Sequence, residues 1–399
     1  MSAPGAAAPH ALILVYRSAA LGGDGAPANA LAAALRERGI GTLTLAVASL
    51  KDAEAVDAVF AAILARKPDL IVAATAFSAR EDAGFVLDAA DCPVLQAFTV
   101  GSPQEAWEAS ARGMNAADLA MQVALPEFDG RLSGFPISFK QETDAADGYA
   151  ERRAVPYAAG IAALADRAAA WLRLAATPRG HRRIALVLSD YPSRGGRAGF
   201  AVGLDTPESA RAIVSDLAAA GYAGPSLPEA AALMQALTDG APDFAIPLPD
   251  YGDWLATLPE DSREALIERW GEPEADPTCR DGAFRFRMVD AGGDTPPPPA
   301  AGEGEDDASG RIAIFLQPDR GRSDDRKAGY HDPDEPPTHA YLAFHLGLRR
   351  HFDALVHLGT HGTTEWLPGK AVALAPACWP ARAIGALPVV YPFIVDDPG

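Results

Sequence analysis

The chain has 399 residues, 49% of them hydrophobic, which is enough for two or three domains with cores of their own. A formal net charge of −19 excludes nucleic acid or an anionic membrane surface as the main partner, because both need a basic face. The three cysteines, Cys92, Cys279 and Cys378, form no CxxC pair and no disulfide framework, and no apolar run approaches the ~18 residues of a membrane helix, so a reducing, cytoplasmic setting is expected.

Ala11–Arg17 reads as a buried strand, followed by the Gly-rich loop Leu21–Gly25 and a helix over Pro27–Arg38 stopped by Gly39. That loop is not GxGxxG and reads as a flexible connection rather than a nucleotide site. A strand at Thr42–Val47, a helix to Arg66 with cap candidates at Ser49–Asp52, and a strand at Asp69–Ala74 follow. Then come a helix at Arg80–Ala90, a strand at Val94–Val100 and a helix at Pro103–Arg112. Alternation of this kind predicts an α/β fold with parallel sheets flanked by helices, and ligands at the carboxyl ends of the strands. Glu127 and Asp129 read as a polar turn, and residues 152–176 as a long Ala-rich helix. Arg183–Ser189 is a second clear strand running into the Gly/Arg loop Asp190–Arg197, with a helix beginning near Pro207 behind Asp205 and Thr206. Helices are expected at 228–239, 251–258 and 262–270. The run Asp290–Gly310 holds Pro296–Pro299 and Gly-Glu-Gly-Glu-Asp-Asp, a composition that forms no packed core. Order returns with a strand at Arg311–Gln317, a Pro-stiffened loop from Tyr330 to His339, a helix at Thr338–Phe352 and a strand before His357. The expected domains are therefore 1–130, doubly wound α/β; 131–289, a second α/β domain with a helical segment; 290–310, an acidic linker; and 311–399, which carries the chemistry.

Six of the eight histidines, namely His331, His339, His345, His351, His357 and His361, lie within residues 331–361. His and carboxylate together suit Zn²⁺, Co²⁺, Ni²⁺ or Fe²⁺, and His357, His361 and Glu365 follow one another at intervals of four. Gly359, Gly362, Pro368 and Gly369 argue for a strand end and loop there rather than a helix. Leu358 stands where HExxH needs its Glu, so a zincin is excluded; Gly362 and Gly369 are spaced wrongly for a Walker A loop, and Ala371 follows Lys370. His345 and His351, inside or at the end of a helix, read as surface or satisfied core residues, and His331 and His339 as braces of a turn or as ligands. Glu365 reads as a ligand or a general base, its pKa raised if Trp366 and Leu367 desolvate it. Spacing alone also allows a His/Glu metallohydrolase.

The run His357–Lys370 resembles the HxGTHGxxEWLPGK signature of the family shared by the large subunit of aerobic cobaltochelatase and the H subunit of magnesium chelatase. Gln317–Gly321, Tyr330–Pro333, Pro336–Ala343 and Leu387–Gly399 resemble further motifs of that family, as do Thr75–Ser78, Leu125–Arg131, Tyr191-Pro192 and Gly203–Pro207. Trp366 favours the cobalt branch, where the magnesium branch tends to have Phe. Family members are much longer and continue past Pro398-Gly399, so the resemblance implies a fragment truncated C-terminally and inactive alone, with 311–399 the start of the metal and tetrapyrrole domain. It implies ATP-dependent insertion of Co²⁺, as substrate metal, into hydrogenobyrinic acid a,c-diamide, a corrin precursor of cobalamin. ATP and Mg²⁺ would be used by separate AAA+ ATPase subunits (CobS- and CobT-like), with no nucleotide site in this chain. Under that reading His357, His361 and Glu365 hold the metal, and Glu365 takes the pyrrole protons. His331, His339, Arg320, Arg322, Trp366 and Lys370 are secondary candidates for substrate contact. The rival expectations are a magnesium chelatase H-type subunit inserting Mg²⁺ into protoporphyrin IX and a non-catalytic tetrapyrrole-binding module.

Overall fold

A computed structural model describes residues 8–82, 84–144, 150–190, 198–199, 201, 203–224, 226–291, 310–321, 332–359 and 364–392. The chain divides into two compact units, Met1–Leu172 with Gly369–Ala381, and Arg173–Pro368 with Arg382–Gly399.

In the first unit the strands are β1 (His10–Tyr16), β2 (Gly41–Val47), β3 (Leu70–Ala73), β4 (Val94–Val100), β5 (Leu132–Asp144) and β6 (Ala150–Pro156). They form one sheet in the order β2-β1-β3-β4-β5-β6, parallel except for β6. Alternation along β1 sends Ala11 and Ile13 into one core with Leu31, Leu35 and Leu164, and Leu12 and Leu14 into another with Val59, Ile63 and Phe85. The helix Ala53–Arg66 starts where the Asp52 side chain accepts from the Ala55 amide at 3.0 Å, one of the expected caps.

Three local expectations are corrected. The helix expected at Arg80–Ala90 is only a short 3-10 turn, Val86–Ala90, because the Asp129 carboxylate takes the amides of Ala79 and Arg80 and holds the preceding segment in a loop. The helix expected at Pro103–Arg112 shortens to Gln104–Glu108. The helix expected from residue 152 begins at Ala158, since Ala150–Pro156 pairs with β5 as an edge strand. β5 and β6 extend the first sheet, and the first unit runs to Leu172.

In the second unit β7 (Arg183–Leu188), β8 (Phe244–Pro247), β9 (Cys279–Arg280), β10 (Ala283–Phe286), β11 (Met288–Asp290), β12 (Arg311–Leu316), β13 (Ala354–Leu358) and β14 (Val389–Val390) make two sheets. The larger runs β11-β12-β7-β13-β14, parallel except for the edge strand β11; the smaller, β8-β10-β9, is antiparallel. The α/β class with helix-flanked parallel sheets is thus as expected. One face of the larger sheet packs Ile184, Leu186, Ile312 and Ile314 against Val214 and Leu233. Against the other lies the helix His339–His351, capped by Thr338 Oγ1 on the Tyr341 amide at 3.2 Å, with Phe344 edge-on to Phe315. Residues 292–309 of the expected linker and 191–197 of the Gly/Arg loop lie outside the described residues. Among the described residues no helix is long and apolar enough to cross a membrane.

Candidate metal and substrate site

In β13, Ala354, Val356 and Leu358 belong to one core of the second unit. Side chains alternate across a strand, so His357 projects from the opposite face. The parallel register sets His357 beside Val187 of β7, and Val187 beside Phe315 of β12. Two residues further along that same face are Ser189 and Gln317. Three polar side chains therefore meet at the carboxyl ends of neighbouring parallel strands, the position where open α/β sheets place ligands.

His357 Nε2 lies 2.8 Å from Gln317 Oε1 and 3.4 Å from Ser189 Oγ. Gln317 donates its Nε2 to the Tyr341 hydroxyl at 2.9 Å, which turns the amide oxygen toward the imidazole. His357 Nε2–H is then the donor, and Nδ1 keeps the lone pair. Burial pushes the His357 pKa down to about 4, so the ring is neutral at neutral pH. A neutral imidazole whose far nitrogen is held by a carbonyl is the form in which histidine binds a divalent cation. The strand end also fixes its neighbour: a Cβ on Gly359 would stand 2.0 Å from Ser189 Oγ, so only glycine lets the chain leave β13 beside β7.

The remaining candidates divide. His361, His331 and Arg322 lie outside the described residues. Glu365 sits on the single 3-10 turn Thr364–Trp366 and is exposed. Trp366 is half-buried. Arg320 is fully buried and donates to the carbonyls of Asp332 at 2.8 Å, Glu335 at 2.9 Å and Trp366. That places it as a brace between two loops rather than on an open surface. His339 is also fully buried, with Nδ1 against the Tyr251 hydroxyl at 2.8 Å and Nε2 against the Gly271 carbonyl at 2.9 Å. Both ring nitrogens are used, which removes it as a ligand in this conformation. Lys370 belongs to the first unit, where its Nζ donates to the carbonyls of Trp107, Glu108 and Ser110 at 2.7–3.0 Å and sits over the Trp107 ring. It closes the end of the helix Gln104–Glu108 rather than facing a ligand. Among the described residues no three His, Cys, Asp or Glu side chains gather around one point.

Sequence reasoning gave no role to Gln317, Ser189 or Tyr341. Gln317 was visible only as a member of a motif; continuing the alternation of β12 and β7 by two residues would have put it and Ser189 beside His357.

Residues 2–399 match the CobN/Magnesium Chelatase family model. The chain is 38% identical over 406 residues to the aerobic cobaltochelatase subunit CobN of Sinorhizobium sp, an alignment covering 97% of this chain and 30% of that protein. It is 39% identical over 389 residues to the CobN subunit of Pseudomonas aeruginosa, covering 92% of this chain and 29% of the relative. Among solved structures, the catalytic subunit of cobaltochelatase from Mycobacterium tuberculosis matches with a TM-score of 0.81 and 32% identity, over 99% of this chain and 34% of that one. The chain belongs to the CobN/magnesium chelatase family, as its motifs implied. It spans about a third of the length of these relatives.

Proposed function

We propose that this chain is part of the large subunit of an ATP-dependent aerobic cobaltochelatase, which inserts Co²⁺ into hydrogenobyrinic acid a,c-diamide during cobalamin synthesis in the cytoplasm. ATP and Mg²⁺ are used by AAA+ partner subunits, CobS- and CobT-like. The observation that carries the reading is His357, neutral and buried at a strand end, with Nε2 committed to Gln317 and Nδ1 keeping its lone pair.

Metallation needs neutral or anionic donors that hold a partly dehydrated cation, and a base that takes the pyrrole protons as nitrogen–metal bonds form. His357 supplies a donor nitrogen that carries no proton to displace. His361 and Glu365 follow it at intervals of four on the same polar run and supply the other donors. The exposed Glu365 carboxylate is the proton acceptor, a carboxylate on the same polar run as the two histidines and open to an incoming macrocycle.

The test is metal insertion by the complete subunit with its two motor subunits. Wild type is expected to metallate the corrin with Co²⁺, and Glu365→Ala to lose at least 100-fold in turnover, the range of a removed general base. Turnover that survives Glu365→Ala removes Glu365 as proton acceptor. Insertion of Mg²⁺ into protoporphyrin IX, with no use of Co²⁺, makes the protein an H-type subunit instead. Tight tetrapyrrole binding with no metallation of either macrocycle makes it a binding module.

A further inference from the structure

Two stretches of the first unit have no part in the chemistry above, Thr75–Ser78 after β3 and Leu125–Arg131 before β5, and the fold joins them. Asp129 accepts from Ser78 Oγ at 2.6 Å and from the amides of Ala79 and Arg80 at 3.0 and 2.9 Å. Arg131 donates to Asp129 at 2.7 Å, to the Thr75 carbonyl at 2.8 Å, to Gln96 Oε1 at 3.1 Å and to the Phe77 carbonyl at 3.2 Å. Both side chains are wholly buried. Their network pins Phe77 at φ +65°, a left-handed conformation that bulky residues avoid. The strained residue keeps half of its surface exposed.

Beside Phe77 opens a crevice of about 310 Å³, lined among others by Tyr16, Leu50, Lys51, Ser78 and Leu125. It lies at the carboxyl ends of β1, β2 and β3, where the strand order reverses between β1 and β3. That is the point at which doubly wound sheets bind ligands. Its size is at the lower end of the roughly 300–1,000 Å³ typical of small-molecule sites. Most of its polar lining is already spent. The Tyr16 hydroxyl donates to the Ala76 carbonyl at 3.0 Å, and Ser78 serves Asp129. The Lys51 ammonium is exposed and has no ion-pair partner among the described residues. A nucleotide is disfavoured, because β1 passes directly into the short helix Arg17–Leu21 and not into a Gly-rich phosphate turn.

We propose that this crevice binds a flat apolar group bearing a carboxylate, with the Phe77 ring against its face and Lys51 as its counter-ion. Two sources have that chemistry, a free aromatic carboxylate and the carboxylate-bearing edge of a tetrapyrrole. The proposal rests on the crevice alone and does not depend on His357 or Glu365.

The probe is 1-naphthoate, titrated calorimetrically into the full chain and into Lys51→Met, Lys51→Arg and Phe77→Ala. Saturable one-to-one binding is expected, weakened about tenfold by Lys51→Met and by Phe77→Ala and kept by Lys51→Arg. Lys51 is exposed, so its variants fold independently of the outcome. Absence of saturable binding, or equal affinity in wild type and Lys51→Met, overturns the proposal. Mesoporphyrin IX and its dimethyl ester then distinguish the sources. Displacement of naphthoate by the free acid and not by the ester assigns the crevice to the edge of a tetrapyrrole. Naphthoate binding that neither displaces assigns it to a free small carboxylate.

Discussion

His357 Nε2 and Gln317 Oε1 stand 2.8 Å apart on either side of β7, and this bond decides which imidazole nitrogen keeps its lone pair. The contact joins residues 40 positions apart in sequence, so nothing local to the histidine reveals it.

Gln317→Leu removes the acceptor and leaves a buried N–H without its main partner. Stability is expected to fall by ~1–3 kcal/mol in urea denaturation. In ¹⁵N-histidine NMR the His357 signal is expected to move from the Nε2–H tautomer toward a mixture. Cobalt affinity should drop roughly 10–100-fold, the usual effect of losing the group that orients a metal-binding histidine. Gln317→Glu keeps an acceptor at that position and is expected to keep the tautomer. An unchanged tautomer in Gln317→Leu would show that the amide does not set it.

His345 lies inside the helix beneath the site, and burial first, then the His357 and Arg349 charges, push its pKa down to about 3. In the unfolded chain it returns to about 6.5. Between those values the unfolded chain holds a proton that the folded chain refuses. Its contribution therefore lowers stability as pH falls from 6.5 toward 3, by up to ~1.4 kcal/mol per pH unit, and is nil above that window where both states are neutral. Its Nε2 has no hydrogen-bond partner among the described residues. His345→Leu is thus expected to stay within ~1 kcal/mol of wild type at pH 7.5 and to flatten the acid limb of a stability–pH curve. Parallel curves for the two proteins would refute the assignment.

The buried pair Asp129–Arg131 predicts a larger loss. Burial raises the Asp129 pKa, but the bonds from Ser78, Ala79 and Arg80 and the charge of Arg131 outweigh it, so the carboxyl titrates below its usual range. Asp129→Ala leaves the Arg131 guanidinium buried without its counter-charge, at an expected cost of ~3–5 kcal/mol. Chemical denaturation measures it, and a loss below ~1 kcal/mol would mean that the loop Thr75–Ala79 is held by other contacts.

What could be read from the sequence follows from how far each signal reaches. β1, β7 and β12 each hold a run of four or more consecutive apolar residues buried on both faces, so a short window finds them. β5 contains Lys140, Gln141 and Glu142, and it is a strand because β4 and β6 pair with it, which no window contains. His357 could be singled out by residue type, whereas Gln317 and Ser189 needed the register of three strands. Arg320, His339 and Lys370 stand out in the sequence by charge and imidazole alone, and no window shows that the fold sets all three against its own carbonyls and a tyrosine. The network at Asp129 is hidden from any short window because its partner segment, Thr75–Arg80, lies about fifty residues earlier.

The last prediction concerns the exit from β13. A Cβ at Gly359 would meet Ser189 Oγ at 2.0 Å and Ser189 Cβ at 2.5 Å, and Ser189 is held in place by its amide on the Leu358 carbonyl at 2.9 Å. Neither backbone can give way without breaking the ladder between β7 and β13. Gly359→Ala is therefore expected to lose ~1–3 kcal/mol in chemical denaturation, the usual cost of forcing extra volume into a packed site. Because the obstacle is one side chain, Ser189→Gly in the same chain should restore much of that loss, giving a coupling of at least ~0.5 kcal/mol in a double-mutant cycle. The single variant should also weaken cobalt binding, since it pushes the strand end that carries His357 away from Gln317 and Ser189. Additive effects of the two substitutions would show that the Ser189 side chain is not the obstacle to a Cβ at 359.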